Sequence, residues 1–390
     1  MAEDETKITT ADGADPVELI PTDVPGGAPA RGTALCLSGG GYRAMLFHLG
    51  ALWRLNEFGY LPKLDRVSSV SGGSITAAVL GTRWAQLSFG AGGVAGNFRE
   101  MVVEPVRRLG GKTIDAFSII GGALGPGTIA DKVAGAYRQQ LFQDLTLQDL
   151  PDRPRFVINA TNVQSGALWR FSKPYMRDYR VGEVKNPSVE MAVAVAASSA
   201  FPPVLSPLRL NLDEESFTPG SGLDLQREPY TTEVILTDGG VYDNLGLETA
   251  WKGFDTTLVS DGGGKMEPEP EPKHDWVRHS RRVLDLIDNQ VRSLRKRQVI
   301  EAFKAGRREG TYWGIRTNIA DYGLANALDC PPAKTALLAN IATRLKRLEP
   351  ETQERLINWG YAVCDAALRR HVDEGLPAPA AFPYPASGVG

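Results

Sequence analysis

Two glycine-rich turns about thirty residues apart carry the residues that could do chemistry. The first is Ser38-Gly39-Gly40-Gly41-Tyr42-Arg43-Ala44, which follows the apolar run Ala34-Leu35-Cys36-Leu37. The second is Ser69-Val70-Ser71-Gly72-Gly73-Ser74, which follows Val67. Each reads as strand, tight turn, helix. The first turn presents backbone N–H groups to an anion at a helix N-terminus. The second holds a serine hydroxyl on a sharp bend, with Gly72 and Gly73 removing side-chain bulk behind it. A raised serine beside an oxyanion site is the equipment of acyl transfer.

Such a serine needs a base. Asp238, in Val234-Ile235-Leu236-Thr237-Asp238-Gly239-Gly240, stands at the C-terminal end of an apolar strand, where α/β sheets bind their ligands. Asp261, in Leu258-Val259-Ser260-Asp261-Gly262-Gly263-Gly264, has the same local grammar, and periodicity does not choose between the two. The histidines are His48, His274, His279 and His371, none in a motif that suggests a base. His48 falls on a mostly apolar helix face and reads as a packing residue. A Ser-Asp dyad is therefore the economical reading. A triad of Ser71, Asp238 and His274 or His279 is the rival in chain order. Gly39-x-Gly41-x-x-Ala44 also fits a loose dinucleotide fingerprint, but the end of the next strand carries Ser71 rather than a ribose-binding acid.

These turns must be positioned by a sheet. Strand-like runs at Thr33–Ser38, Arg66–Ser71, Phe156–Ala160, Ala167–Phe171, Glu233–Thr237 and Thr256–Ser260 alternate with helical runs near 43–58, 73–85, 128–142, 187–197, 275–305, 333–348 and 350–371. This alternation predicts an α/β fold with helices on both faces. Residues 1–32 are rich in Pro, Gly, Asp and Thr and are expected to be disordered. The catalytic α/β domain is expected over 33–265. An acidic Pro-rich linker at 266–273 then opens a helical C-terminal region, 266–390, that packs on the core. In its first helix Leu284, Ile287, Val291 and Leu294 fall at helical spacing and are expected to face the core, with Arg281, Arg282, Arg292, Arg295 and Lys296 mostly in solvent. The Gly-rich apolar stretch 114–127 reads as a buried connection or as a lid.

The 390 residues carry a net charge of -3, so no global field favours nucleic acid. The three scattered cysteines, Cys36, Cys330 and Cys364, read as buried free thiols in a reducing compartment. Neither a secretory signal nor a spanning segment is legible, so the expectation is cytoplasmic, with peripheral contact the membrane role left open.

Four blocks in order resemble the patatin-like phospholipases: Ser-Gly-Gly-Gly-Tyr-Arg-Ala at 38–44, Ser-Val-Ser-Gly-Gly at 69–73, Ala-Ser-Ser-Ala-Phe-Pro-Pro at 197–203 and Asp-Gly-Gly at 238–240. The resemblance spans about residues 33–262. It implies a three-layer α/β/α sandwich with a helical C-terminal extension, and a lipid acyl hydrolase of the phospholipase A or lysophospholipase type. It makes Ser71 the nucleophile, Asp238 the base, and Gly39, Gly40 and Gly41 the oxyanion donors. Arg43 is placed to steady that loop or to meet a substrate phosphate. No metal or organic cofactor is implied. The partner is a phospholipid or other lipid ester. The chain departs from the commonest pattern at Ser38, where many members have Asp, and at Ser69, where many have Gly. Its glycine loop is similar to that of the cytosolic phospholipases A. A non-catalytic lipid-binding or scaffold protein on the same fold is the alternative.

Overall fold

The computed structural model describes residues 30–114, 128–264 and 266–390. Most of the N-terminal segment and nearly all of the 114–127 stretch lie outside the described residues. Strand β1 already begins at Ala30.

The described strands form one ten-stranded mixed sheet. Its parallel half holds β1 (Ala30–Leu37), β2 (Arg66–Val70), β3 (Arg155–Asn162), β9 (Phe254–Asp261) and β10 (Glu309–Gly314), ordered β10-β9-β1-β2-β3. From β3 an antiparallel meander continues through β4 (Leu168–Phe171), β5 (Tyr175–Asp178) and β6 (Gly182–Lys185). The hairpin of β7 (Leu208–Asn211) and β8 (Glu233–Asp238) branches off the path, β8 pairing antiparallel with β3. Strands β5, β6, β7 and β10 are not legible in the sequence.

Period-two alternation sends successive side chains of β1 to opposite layers. Leu35 and Leu37 join the core of one face, under α1 (Gly41–Glu57), α2 (Gly72–Thr82) and the C-terminal helix α10 (Pro350–His371). Ala34 and Cys36 join the other, against Ala250 of α7 (Glu248–Trp251) and Val299 of α8 (Trp276–Lys304). The remaining helices are α3 (Glu104–Gly110), α4 (Ile129–Tyr137), α5 (Met191–Ser198), α6 (Gly240–Asp243) and α9 (Pro332–Ala339), the last ending well short of the expected 348.

Helix α10 is built into the core. It crosses α1 backbone to backbone: a Cβ at Gly50 would lie 1.9 Å from the Ile357 carbonyl oxygen, and one at Gly360 would lie 1.8 Å from that of Phe47. Arg54 of α1 and Arg369 of α10 both bond the buried carboxylate of Asp365.

Helix α8 overturns its expectation. Leu284, Ile287, Val291 and Leu294 are 61%, 55%, 40% and 52% exposed. Cations hold the helix to the body instead: Lys296 Nζ lies 2.7 Å from Asp261 Oδ2, and Arg295 lies 3.8 Å from Asp243 and 3.6 Å from Glu248. Buried carboxylates need counter-charges more than the core needs further apolar area, and that requirement sets the rotation of the helix.

Candidate active site

The two glycine turns pack onto each other at the C-terminal ends of β1 and β2. A Cβ at Gly72 would lie 2.1 Å from the Gly41 carbonyl oxygen, and one at Gly73 would lie 2.5 Å from that of Leu37. Side chains at either position would force the turns apart. Gly41 has φ +61, and its Cα faces the backbone of Arg344.

Ser71 caps α2 with φ 51 and ψ -120, a left-handed conformation that a serine adopts under constraint, at a cost of about 1–3 kcal/mol. The constraint is visible. Its N–H donates to Ser198 Oγ at 2.9 Å, its C=O accepts from Ser74 and Ile75, and Ser198 Oγ in turn donates to the Asn159 carbonyl at 2.6 Å. Ser69 fits this bend: its hydroxyl is buried and accepts from Ser74 Oγ at 3.0 Å.

Asp238 arrives at the same point from β8. Val70 pairs with Asn159 of β3, and Asp238 pairs with the next residue, Ala160. Because β4 occupies the opposite edge of β3, β2 and β8 share one edge and run head to head. A Cβ at Gly239 would lie 3.3 Å from Val70 Cγ1. Asp238 is 2% exposed. Its Oδ1 accepts the Gly240 N–H at 2.7 Å, while the buried Oδ2 has no hydrogen bond of regular geometry. Burial pushes this carboxyl up to about 7, against the lowering effect of hydrogen bonds from the Gly240 N–H and the Ser71 hydroxyl; the Asp288 charge adds to the rise. A carboxylate with that proton affinity is half ionised near neutrality and can take a proton.

The rival aspartate has a different setting. Asp261 is 1% exposed, ion-paired to Lys296, and accepts from Tyr312 OH at 2.7 Å and the Gly263 N–H at 2.8 Å. Burial alone would raise its pKa, but Lys296, Arg292 and Tyr312 together hold it well below the carboxylate range. It anchors α8 and β10.

His48 bridges strand ends. Its Nε2 lies 2.9 Å from the Ser38 carbonyl, which can only accept, so Nε2 carries the proton and Nδ1 accepts from Ser260 Oγ at 2.8 Å. Burial lowers its pKa to about 4, and the ring is neutral. Arg43 is committed to the protein, donating to the carbonyls of Gly262 and Ile341 and to Thr343 Oγ1. It ties the glycine loop to the C-terminal segment, each guanidinium nitrogen donating one hydrogen bond within the protein. Of the three glycines expected as donors, Gly39 gives its N–H to the Asn244 carbonyl at 3.0 Å, whereas those of Gly40 and Gly41 form no bond among the described residues.

Ser71 and Gly41 open into a cavity of about 120 Å³. One wall is apolar, from Phe201 to Leu205; the other is Thr343, Arg344 and Leu345, with Arg281 at the edge. A larger concavity of about 520 Å³, lined by Trp84, Phe89 and Arg153 among others, shares no residue with this one.

The model of the patatin-like phospholipases, a lipid hydrolase family, matches residues 35–251. The chain belongs to that family. Its fold is the patatin fold, with a helical C-terminal region added. The patatin match takes in both glycine turns and Asp238 but stops before Asp261, α8 and the 343–345 wall. Among solved structures, human GIVD cytosolic phospholipase A2 in complex with methyl gamma-linolenyl fluorophosphonate is similar, with a TM-score of 0.48, 15% identity, and 86% of this chain and 57% of that chain covered. The human enzyme alone gives 0.39, 14%, 63% and 50%. VipD from Legionella pneumophila gives 0.35, 18%, 87% and 67%. The chain thus spans about half the length of the human structures it matches. No curated protein matches.

Beyond the patatin motifs, the structure brings in residues that the sequence did not single out. Ser198 and Asn159 hold the Ser71 backbone, and Asn244 Oδ1 crowds both Gly39 and Gly240. Ser198 sits in the 197–203 block, whose backbone also accepts from Asp238 and Gly239, so that one segment fixes both strand ends. Thr343, Arg344 and Leu345 carry no local signal at all. The cysteines are free and buried, as expected. No helix among the described residues is long and apolar enough to cross a membrane.

Proposed function

We propose that the chain is a lipid acyl hydrolase of the phospholipase A or lysophospholipase type, working through a Ser71–Asp238 dyad. The observation that carries this reading is the head-to-head meeting of β2 and β8, which sets a constrained serine beside a buried carboxyl with an unsatisfied oxygen, at the wall of an apolar pocket.

Asp238 takes the Ser71 proton as Oγ attacks the ester carbonyl. The N–H groups of Gly40 and Gly41 receive the oxyanion, donors that need no reorganisation as charge develops. Collapse expels the alcohol, which leaves with the proton from Asp238, and the acyl group stays on Ser71. Water then gives a proton to Asp238 and attacks the acyl carbonyl, releasing the fatty acid and restoring the serine. Arg43 keeps the glycine loop fixed, and Gly72 and Gly73 let the elbow close.

Hydrolysis of long-chain phospholipid, lysophospholipid and monoacylglycerol by the wild type, Ser71→Ala and Asp238→Asn tests this. Turnover of at least one lipid ester is expected, with loss in both variants. Full activity in Ser71→Ala would end the mechanism. Lipid binding by all three proteins without turnover would favour the binding-only alternative.

A further inference from the structure

Helix α8 is an amphipathic helix whose polar side, not its apolar side, is spent on the fold. Lys296, Arg295 and Arg292 are committed to Asp261, Asp243 and Glu248 of the body, and Val299 and Ala302 anchor its last turns. These contacts fix the rotation of the helix. Leu284, Ile287, Val291 and Leu294 therefore point to solvent, joined by Trp276 at 80% exposure and Leu286 at 51%.

We infer that this face of α8 is a lipid-surface docking site that seats the mouth of the candidate pocket on a bilayer. The inference rests on the reading of that pocket as a lipid esterase site. Three observations select a lipid surface as the occupant. The first is the width of the face. At 3.6 residues per turn the exposed apolar positions, from Leu286 to Val277, sweep about 180° of the helix, far broader than the two-position seam of a paired coiled coil. A broad exposed face of Trp, Leu, Ile and Val, with exposed Arg281 beside it, suits an interfacial position.

The second is continuity with the pocket. Arg281 of α8 lines its mouth, Phe201 lines it while 41% exposed, and Val241, just beyond Asp238, is 55% exposed. A cavity of about 120 Å³ is smaller than the ~300–1,000 Å³ usual for a drug-sized ligand, so most of a lipid's chains must lie outside it, against whatever apolar surface flanks the mouth. The third is charge. Arg281 is exposed with no ion-pair partner among the described residues, where anionic headgroups would meet it; exposed Arg278, one turn before, pairs with Asp275.

The test is flotation of the full chain with vesicles of phosphatidylcholine alone and of phosphatidylcholine mixed with phosphatidylglycerol, for the wild type, Ser71→Ala and the double variant Leu284→Asp/Ile287→Asp. Both substituted side chains are exposed, so the variant folds. The wild type and Ser71→Ala are expected to float, more strongly on the anionic vesicles, with a blue shift in fluorescence that Trp276→Phe removes. The double variant should bind at least about ten-fold more weakly and lose vesicular phospholipid hydrolysis to the same degree, while keeping its rate on a monomeric short-chain ester. No flotation of the wild type, or equal flotation of the double variant, overturns the inference. So does a wild-type dimer that ignores vesicles and that the double variant dissociates, since the face then belongs to a second copy. Flotation without hydrolysis of either ester would sink the esterase reading and leave the docking surface standing.

Discussion

Ser71 and Asp238 meet because the strands that carry them end against consecutive residues of β3, Asn159 and Ala160. Neither strand crosses the other: β2 runs parallel to β3, β8 runs antiparallel, and both use the same edge. The separation of 167 positions in sequence is closed by sheet pairing. Ser198, whose hydroxyl accepts the Ser71 N–H and donates to the Asn159 carbonyl, bolts the join.

The proton affinity of Asp238 sets a pH dependence. A carboxyl raised to about 7 is protonated, and useless as a base, below that pH. On a soluble ester whose own ionisation is constant, kcat/KM should rise with pH along a single limb of apparent pKa near 7 and reach a plateau above it. A limb near the ordinary carboxylate value of 3.8 would remove the proposed role of burial.

The same burial costs stability. Between the unfolded value of 3.8 and the folded value of about 7, the native state holds a proton that the unfolded chain releases, so stability falls as pH rises through that window. Asp238→Asn removes this cost. At about 1.4 kcal/mol per pKa unit, the variant should be more stable than the wild type at pH 8 by roughly 1–4 kcal/mol, with no gain at pH 4, while losing turnover. Chemical denaturation at the two pH values checks both halves.

Ser198→Ala leaves the Ser71 N–H buried without an acceptor. The expected outcome is a loss of about 1–3 kcal/mol in stability and a fall in kcat of about ten- to a hundred-fold, with KM little changed, because the substrate pocket is untouched and the serine is displaced. Ser198→Thr, which restores the hydroxyl, should recover part of kcat.

Asp261 and His48 are expected to matter for the fold and not for the chemistry. Lys296→Met removes the nearest counter-charge of the buried Asp261 carboxylate and should destabilise by about 2–4 kcal/mol, less than loss of a fully enclosed pair because Arg292 and Tyr312 remain and Lys296 is partly exposed. Asp261→Asn should keep kcat within about ten-fold in the protein that remains folded. His48→Gln should lower Tm and retain hydrolysis, and the exposed His274 and His279 should tolerate alanine without loss of either. Loss of activity in His274→Ala or His279→Ala would restore the triad.

The turns and the helices that follow them were legible because their signals are local: glycines where backbones touch, apolar runs before them, and Gly59 just after α1 with φ +64. Strands β5, β6, β7 and β10 were not, since their pairing partners, not their own composition, make them strands. The choice between Asp238 and Asp261 could not be read from two identical aspartate–glycine patterns. It turns on Lys296 and Tyr312, which reach Asp261 from 35 and 51 positions away. Helix α8 lies where the periodicity puts it but turns its apolar face outward, because periodicity gives the width of such a face and not what it meets. The Arg344 wall over Gly41 is a long-range contact with no local signature.

The most direct test of the central claim is mass spectrometry of the full chain after treatment with a long-chain fluorophosphonate, with Ser71→Ala in parallel. One adduct is expected, mapped to Ser71, absent from the variant, and formed faster as pH rises through about 7. An adduct on another residue, or none in the presence and absence of lipid vesicles, would contradict it.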